Sequence, residues 1–278
     1  FQLDGAQQFS ELSLDAHWTA AGLQVDRLHA RRDALVLDLA GTVVPGQQWP
    51  LDLSGQLQLP EVDGKPWQLA LKVKGDLLAS LALSGQSTGY LDGQLAGELQ
   101  PLAEHLPASL RITSAAFKAG SSLPGTLTLN QLELNAAGDL QAGYQIDGKA
   151  SLPAEQGAMS LLLKGRVDAK GADIQALKVA GSEAQRVTIN GRVDWQEALS
   201  VDAKLDWLDF PWQRLYPIGS EPPVKVHQFP TDLTYRGGNY LGNFKGSFDG
   251  PAGAFTLASP FSGDLGQVFL PQLQLVAG

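Results

Sequence analysis

Three observations predict an all-β protein built on a long, antiparallel-rich sheet. Apolar and polar residues alternate through most of the chain, turn residues break it at intervals of about 8 to 12 residues or slightly more, and glycine recurs in apolar phase inside the alternating stretches. Alternation is cleanest in RVTINGRVDWQEALSVDAKLDW, Arg186 to Trp207. There Val187, Ile189, Gly191, Val193 and Trp195 take one parity and Thr188, Asn190, Arg192 and Asp194 the other. Beyond a turn at Gln196 to Ala198, Leu199, Val201, Ala203, Leu205 and Trp207 alternate with Ser200, Asp202, Lys204 and Asp206. Side chains of a strand point to opposite faces in turn, so each of these strands has one oily and one watery face.

The same device runs from the first residues onward. Leu23, Val25, Leu35, Leu37 and Leu39 lead to Pro45-Gly46, and LVLDLAGTV favours strands over the helix that propensity alone would allow at Leu28 to Ala40. WPLDLSGQLQLP sets Leu51, Leu53, Leu57 and Leu59 on one parity, and WQLALKVKG does so with Trp67, Leu69, Leu71 and Val73, with EVDGKP as the turn between them. Leu81 and Leu83 follow. ELQPLAEHLP, with Pro101 early and Pro107 closing it, is the best candidate for a short helix. Leu110 to Phe117, Thr126 to Leu134 with Leu127 and Leu129, Tyr144 to Leu152 with Ile146, Met159 to Ala169 with Leu161, Leu163 and Val167, and Ile174 to Val179 continue the series. LDFPWQRLYPIGSEPP is rich in aromatics and proline and breaks the alternation, so an interruption is expected within 208–228 before strands resume to the end. The whole is otherwise one elongated repeat-like segment, residues 1–278.

A five-residue unit, apolar-polar-Gly-polar-apolar, recurs as LSGQL, VKGDL, LDGQL, IDGKA, LKGRV, INGRV and FKGSF, centred on Gly55, Gly75, Gly93, Gly148, Gly165, Gly191 and Gly246. Its spacing is irregular, which excludes a fixed-period solenoid. Glycine in a strand costs roughly 0.5 to 1 kcal/mol relative to Ala. Its recurrence on the oily face points to bends, bulges or close approach of another group, and these seven are the candidate curvature points. An ordinary β-sandwich with a few kinks is the alternative fold.

A net charge of -9 argues against nucleic acid, whose phosphates call for a positive field. With no cysteine there is no disulfide framework or thiolate chemistry. No window reaches the roughly 18 uninterrupted apolar residues of a membrane helix, and Phe1 with no initiator Met suggests a piece of a longer polypeptide whose anchor, if any, lies elsewhere. His17, His29, His105 and His227 are scattered and show no metal-ligand spacing. GQSTG matches the nucleophile elbow, but another alternating strand follows it instead of a helix, so Ser87 reads as a turn residue. Asp202, Asp206 and Asp209 are spaced like a solvated strand face, and Trp49, Trp67, Trp195, Trp207 and Trp212 mostly fall in apolar phase. Neither a catalytic site nor a metal or cofactor site is expected.

The texture of WPLDLSGQLQLP together with the phrase LDWLDFPWQRLYP resembles the TamB family of the AsmA-like superfamily, in which a phrase of the type L-x-W-x-x-L-x-W-P recurs between β-rich segments. Leu205, Trp207, Pro211 and Trp212 supply a version of it; the departure is that Pro precedes the second Trp and Leu215, Tyr216 and Pro217 follow. The resemblance implies an open U-shaped β-groove, or β-taco, with a hydrophobic interior. It implies a periplasmic segment of a Gram-negative protein anchored in the inner membrane by an N-terminal helix, with the outer-membrane barrel TamA as partner. It also implies passage of phospholipid between the membranes, or assistance to outer-membrane protein and autotransporter assembly through strand edges. The lining candidates are Leu53, Leu57, Leu69, Leu71, Val73, Leu81 and Leu83, then Leu127, Leu129, Ile146, Leu161, Leu163 and Val167, then Val187, Ile189, Val193, Val201, Leu205 and Trp207. Roughly 23 strands at about 12 residues each, stacked about 4.8 Å apart, would extend roughly 110 Å.

Overall fold

The computed structural model describes residues 10–119, 127–216, 223–264 and 266–278. Apart from a single 3₁₀ turn at Trp212–Arg214, every regular element among them is a β-strand, 20 in all. Two compact units divide the chain, Phe1–Leu127 with Gln131–Gln141 and Thr128–Asn130 with Ala142–Gly278.

In the first unit, β1 (Glu11–Thr19), β2 (Gly22–Arg32), β3 (Leu35–Val43), β4 (Pro50–Val62), β5 (Lys65–Asp76), β6 (Leu81–Gly89), β7 (Gly93–Leu99) and β8 (Ala108–Ala119) form a meander, each strand antiparallel to the next. β9 (Leu127–Asp139) follows. The tight turns are written locally. Val62 pairs with Lys65 across Asp63-Gly64, whose φ values of 53° and 69° are those of a type I′ turn. The helix expected in ELQPLAEHLP does not form. His105 and Leu106 take left-handed φ values of 65° and 52°, and Gln100 N donates to Pro107 O at 2.9 Å, closing an irregular loop between β7 and β8.

The second unit continues the pattern through β10 (Gly143–Leu152), β11 (Met159–Val167), β12 (Gly171–Ser182), β13 (Gln185–Asp194) and β14 (Ser200–Leu208). β15 (Lys225–Gln228) and β16 (Thr231–Arg236) share the lane between β14 and β17 (Asn239–Gly250), and both run antiparallel to their neighbours. They are one strand broken at Phe229-Pro230, where proline has no N–H for the ladder. β18 (Gly253–Asp264) pairs β17 and then β19 (Val268–Phe269) and β20 (Gln274–Ala277), a lane broken again beside Pro271.

Every pairing within each unit links strands adjacent in the sheet walk, and among the described residues β1 pairs β2 alone, so the sheet is open. A flat open sheet would leave its apolar face in water. Instead Val25, Leu39, Leu51, Leu53, Val73 and Leu81, contributed by β2 to β6, bury one another, Val25 to 4% exposure. Sheet curvature accounts for this burial, because the covering side chains come from the same face. The inner face nevertheless stays mostly half-exposed, and among the described residues the largest fully buried side chains are Leu152 and Met159, at 1%. A sandwich would seal both inner faces; a curled trough leaves a mouth.

Candidate functional site

The alternation places whole ladders of apolar side chains on one face. In the first unit one ladder runs Val25, Gly41, Leu53, Val73, Leu83, Gly97, Leu110, and the next runs Leu28, Leu39, Gly55, Leu71, Gly85, Leu95, Ile112. Leu57 and Leu69 lie opposite each other one step along, and Leu81 faces Gly75. In the second unit Ile146, Gly165, Ile174, Gly191 and Ala203 form a ladder beside Gly148, Leu163, Leu177, Ile189 and Leu205. Val167 and Ala172 lead to Val193 and Val201 at one edge, while Leu161, Val179, Val187 and Trp207 line up toward the other. Leu127 and Leu129 are half-buried in β9.

Glycine interrupts these ladders beside a large residue. A Cβ on Gly55 would lie 1.9 Å from Asp38 O, on Gly75 2.3 Å from Ser80 O, and on Gly191 2.1 Å from Asp202 O. On Gly93 and Gly165 the distances are 2.3 Å to Thr113 O and 2.7 Å to Asp173 O. The common cause is close approach of a neighbouring strand's backbone, which any side chain would prevent. Gly75 ends the apolar run of β5 and Gly93 opens β7, so these two stand near strand ends and not mid-strand. Gly246 differs: the Cβ would meet rings, Phe248 Cζ at 2.5 Å and Phe229 Cδ2 at 2.8 Å.

Polar groups on this face are few; Ser87 and Ser114 are bonded, whereas Thr231 Oγ1, opposite Leu205 and Phe244, is buried without a hydrogen-bond partner among the described residues. Ser87 is no turn residue; it lies inside β6 and is buried, because its hydroxyl accepts from Trp67 Nε1 at 2.8 Å and donates to Leu91 O at 2.7 Å. Ser114 donates to Asp92 O at 2.5 Å. Around Ser87 the rings of Trp67, Tyr90 and Phe117 pack in sequence, with centroids 5.6 and 5.2 Å apart.

Charges occupy the other face and the hairpin ends. Arg192 and Arg166 reach Asp173 from either side at 2.9 and 3.0 Å, holding its carboxyl below the usual carboxylate range, Arg192 foremost. His29 and Arg27 do the same to Asp38, at 2.8 and 2.9 Å. His17 bonds Asp26 at 2.7 Å, and His227 sits between Asp209 and Asp249 at 2.6 and 2.8 Å. Among the described residues no cluster of His, Asp and Glu is arranged to hold a metal ion. A depression of about 970 Å³ on the polar face of β4 to β8 is lined by Gln56, Lys72, Gln86 and Arg111 among others. Its cations are already engaged, Lys72 with Asp52 at 3.7 Å and Arg111 with Glu133 at 3.1 Å.

The family model described as TamB, N-terminal domain, matches residues 1–219. The chain belongs to the TamB family. No curated protein and no solved structure gives a match. TamB proteins span the periplasm from an inner-membrane anchor and are non-enzymatic transport and assembly modules associated with the outer membrane. Among the described residues of this TamB chain no helix is long and apolar enough to cross a membrane.

Two features of the TamB chain escaped sequence reasoning. Phe229, Phe244, Phe248, Phe255 and Phe261 pave the apolar face of β16 to β18 with rings in mutual contact. Their signal was the aromatic content of FKGSF, GAFTL and SPF in apolar phase. Arg214 pins the 3₁₀ turn to the β10–β11 hairpin, donating from Nε to Glu155 O at 2.8 Å and from Nη2 to Gly157 O at 2.9 Å. Its partners lie nearly sixty residues away, so no local pattern announces them.

Proposed function

We propose that the apolar face of each unit is a trough for the acyl chains of phospholipids in transit between the inner and outer membranes, and that the chain is a non-enzymatic stretch of that conduit. The observation that carries this reading is the run of ladders, unbroken by any charged side chain from Val25 to Leu110 and from Ile146 to Ala203, on a face that stays half-exposed. Each methylene moved from water onto such a face gains about 0.8 kcal/mol, while the headgroup keeps its water at the mouth. Transport of this kind needs no catalytic group. TamA at the outer membrane and an N-terminal inner-membrane helix complete the path. Native mass spectrometry of the gently purified protein tests the reading and is expected to show bound phospholipid. Leu163→Asp, Ile189→Asp and Val201→Asp each put a charge in the path. Normal lipid occupancy and transfer by these variants, with the fold intact, would remove this face from the route.

The edge strand β1 favours a second reading. Leu12, Leu14 and Trp18 stand exposed on a strand whose outer edge has no partner among the described residues, which suits a scaffold that pairs with strands of outer-membrane proteins. Crosslinks from β1 to a nascent barrel protein, in preparations free of lipid, would favour it over the conduit.

A further inference from the structure

The meander of the first unit puts alternate hairpins at opposite ends of the strands, and the two ends differ in chemistry. The β1–β2, β3–β4, β5–β6 and β7–β8 connections meet at one end. They display Trp18 (71% exposed), Val44, Trp49, Leu78 (50%) and Leu102 (63%). No Lys or Arg occurs in residues 17–22, 43–50, 76–81 or 99–108. The acidic groups there are engaged: Asp76 Oδ1 accepts from Trp49 N and Leu78 N, both at 3.0 Å, and Glu104 lies 3.5 Å from His105. The opposite end carries the β2–β3, β4–β5 and β6–β7 hairpins; Arg31, Arg32, Asp33, Glu61, Asp63 and Lys65 are exposed at the first two, and Tyr90, Leu91 and Asp92 connect the third. Among the described residues the exposed large apolar side chain nearest that end is Leu12 of the edge strand β1, opposite Ala30.

In a sheet curled about its apolar face, the strand ends are the lips of the mouth. One lip continues the oily lining outward; the other alternates both signs of charge. Exposed Trp and Leu in such number are what a monomer avoids unless apolar matter covers them. A phosphate beside Trp18 or Leu102 would lose water without gaining a Lys or Arg partner, whereas beside Arg31 and Arg32 it gains charge-assisted hydrogen bonds. Glu61 and Asp33 offer the matching site for an ammonium group.

We infer that a zwitterionic phospholipid lies across the first unit, its headgroup held at the Arg31–Lys65 lip and its acyl chains directed toward the Trp18–Leu102 lip. Arg31, Arg32 and Lys65 are then positioning residues that fix which way round lipid travels. This rests on the trough carrying lipid. The lining residues hold the chains irrespective of headgroup; the lips decide its side.

Two phosphatidylethanolamine probes test it, one with a photoactivatable diazirine on the headgroup and one with the diazirine at the acyl terminus, each loaded onto the whole chain, irradiated and mapped by peptide mass spectrometry. Headgroup adducts are expected in severalfold excess at residues 31–35 and 60–66, and acyl adducts at 44–49, 77–80 and 102. The Arg31→Ser/Arg32→Ser/Lys65→Ser triple variant is expected to lose the headgroup bias while keeping acyl adducts and its circular dichroism. Headgroup adducts divided equally between the lips, or a bias unmoved in the triple variant, would overturn the inference and leave the trough standing. No adduct from either probe anywhere on the apolar face would overturn both.

Discussion

The aliphatic face of β2 to β7 and the aromatic face of β16 to β18 use the same sequence device to different ends. In the first region the ladders are leucine and valine, and glycine lies under a neighbouring carbonyl: a Cβ would stand 2.1 Å from Asp52 O at Gly41 and 1.9 Å from Asp38 O at Gly55. In the second, Gly246 lies under two phenylalanine rings, while Gly242 meets both kinds of neighbour, a Cβ there standing 2.0 Å from Asp232 O and 2.6 Å from Phe261 Cζ. Those rings stack, Phe229 on Phe244 at 5.3 Å and Phe248 on Phe255 at 5.2 Å. The aliphatic region therefore spends its glycines on bringing strands together and leaves its side chains half-free. The aromatic region adds a second use, since Gly246 makes room for rings that satisfy one another. Residues 220–278, which include β16 to β18, also lie beyond the span matched by the TamB domain model.

Substituting the glycines is the strongest way to break that comparison. A carbonyl in a hydrogen-bonded ladder cannot swing aside, so Gly55→Ala is expected to cost about 3 kcal/mol, at the top of the overpacking range. A ring can tilt, so Gly246→Ala is expected to cost about 1 kcal/mol. Urea unfolding of the two variants, followed by tryptophan fluorescence, compares them directly. Equal midpoints, or a larger loss for Gly246→Ala, would mean that the rings are as immovable as the backbone.

A smaller effect sharpens the aromatic half. Phe229 touches Phe244 and Phe248, at 5.3 and 6.1 Å between centroids, from the break between β15 and β16. Phe229→Leu keeps most of the apolar area and removes both ring pairs, each worth about 0.5 to 1.5 kcal/mol beyond area. A loss of about 1 kcal/mol is expected in thermal unfolding, against less than that for Leu71→Met in the aliphatic region. If the two changes are equally mild, ring geometry contributes nothing there and the regions differ in composition alone.

The sequence was informative where the cause is local. Val187, Ile189 and Val193 read as one face of a strand, and they pair in register with Trp207, Leu205 and Val201 as the alternation requires. The Asp63-Gly64 turn was equally plain. Sequence reasoning failed where the outcome depends on distant partners. Pro101 suggested a helix start, but the loop closes on Pro107 through left-handed His105 and Leu106. Ser87 sat in a turn-like GQSTG, yet Trp67, twenty residues earlier, supplies the hydrogen bond that lets it be buried in β6. The chemistry of the two lips was invisible for the same reason, since only the meander says which hairpins share an end.

The smallest expected effect concerns the lane where β15 enters beside β14. His227 bonds Asp249 and Asp209 through its two ring nitrogens, and Asp209 N donates to His227 O at 2.6 Å. Both bonds require a doubly protonated ring, and the carboxylates, Asp249 foremost, raise the His227 pKa above its ordinary value. A group whose pKa is raised on folding stabilises the fold fully below its unfolded value, about 6.5, and loses that contribution as pH climbs through the folded value. Above it, the neutral ring donates to one carboxylate and turns a lone pair on the other. The clasp is solvent-accessible, so screening keeps the effect modest. Amide exchange of residues 225–228 is expected to quicken as pH rises from 6 to 8.5, after correction for the intrinsic rate, while amides of β4 and β5 hold steady. His227→Gln should remove the difference between the two regions. Persistence of the difference in that variant would assign the pH response to another group and leave β15 held by its ladder alone.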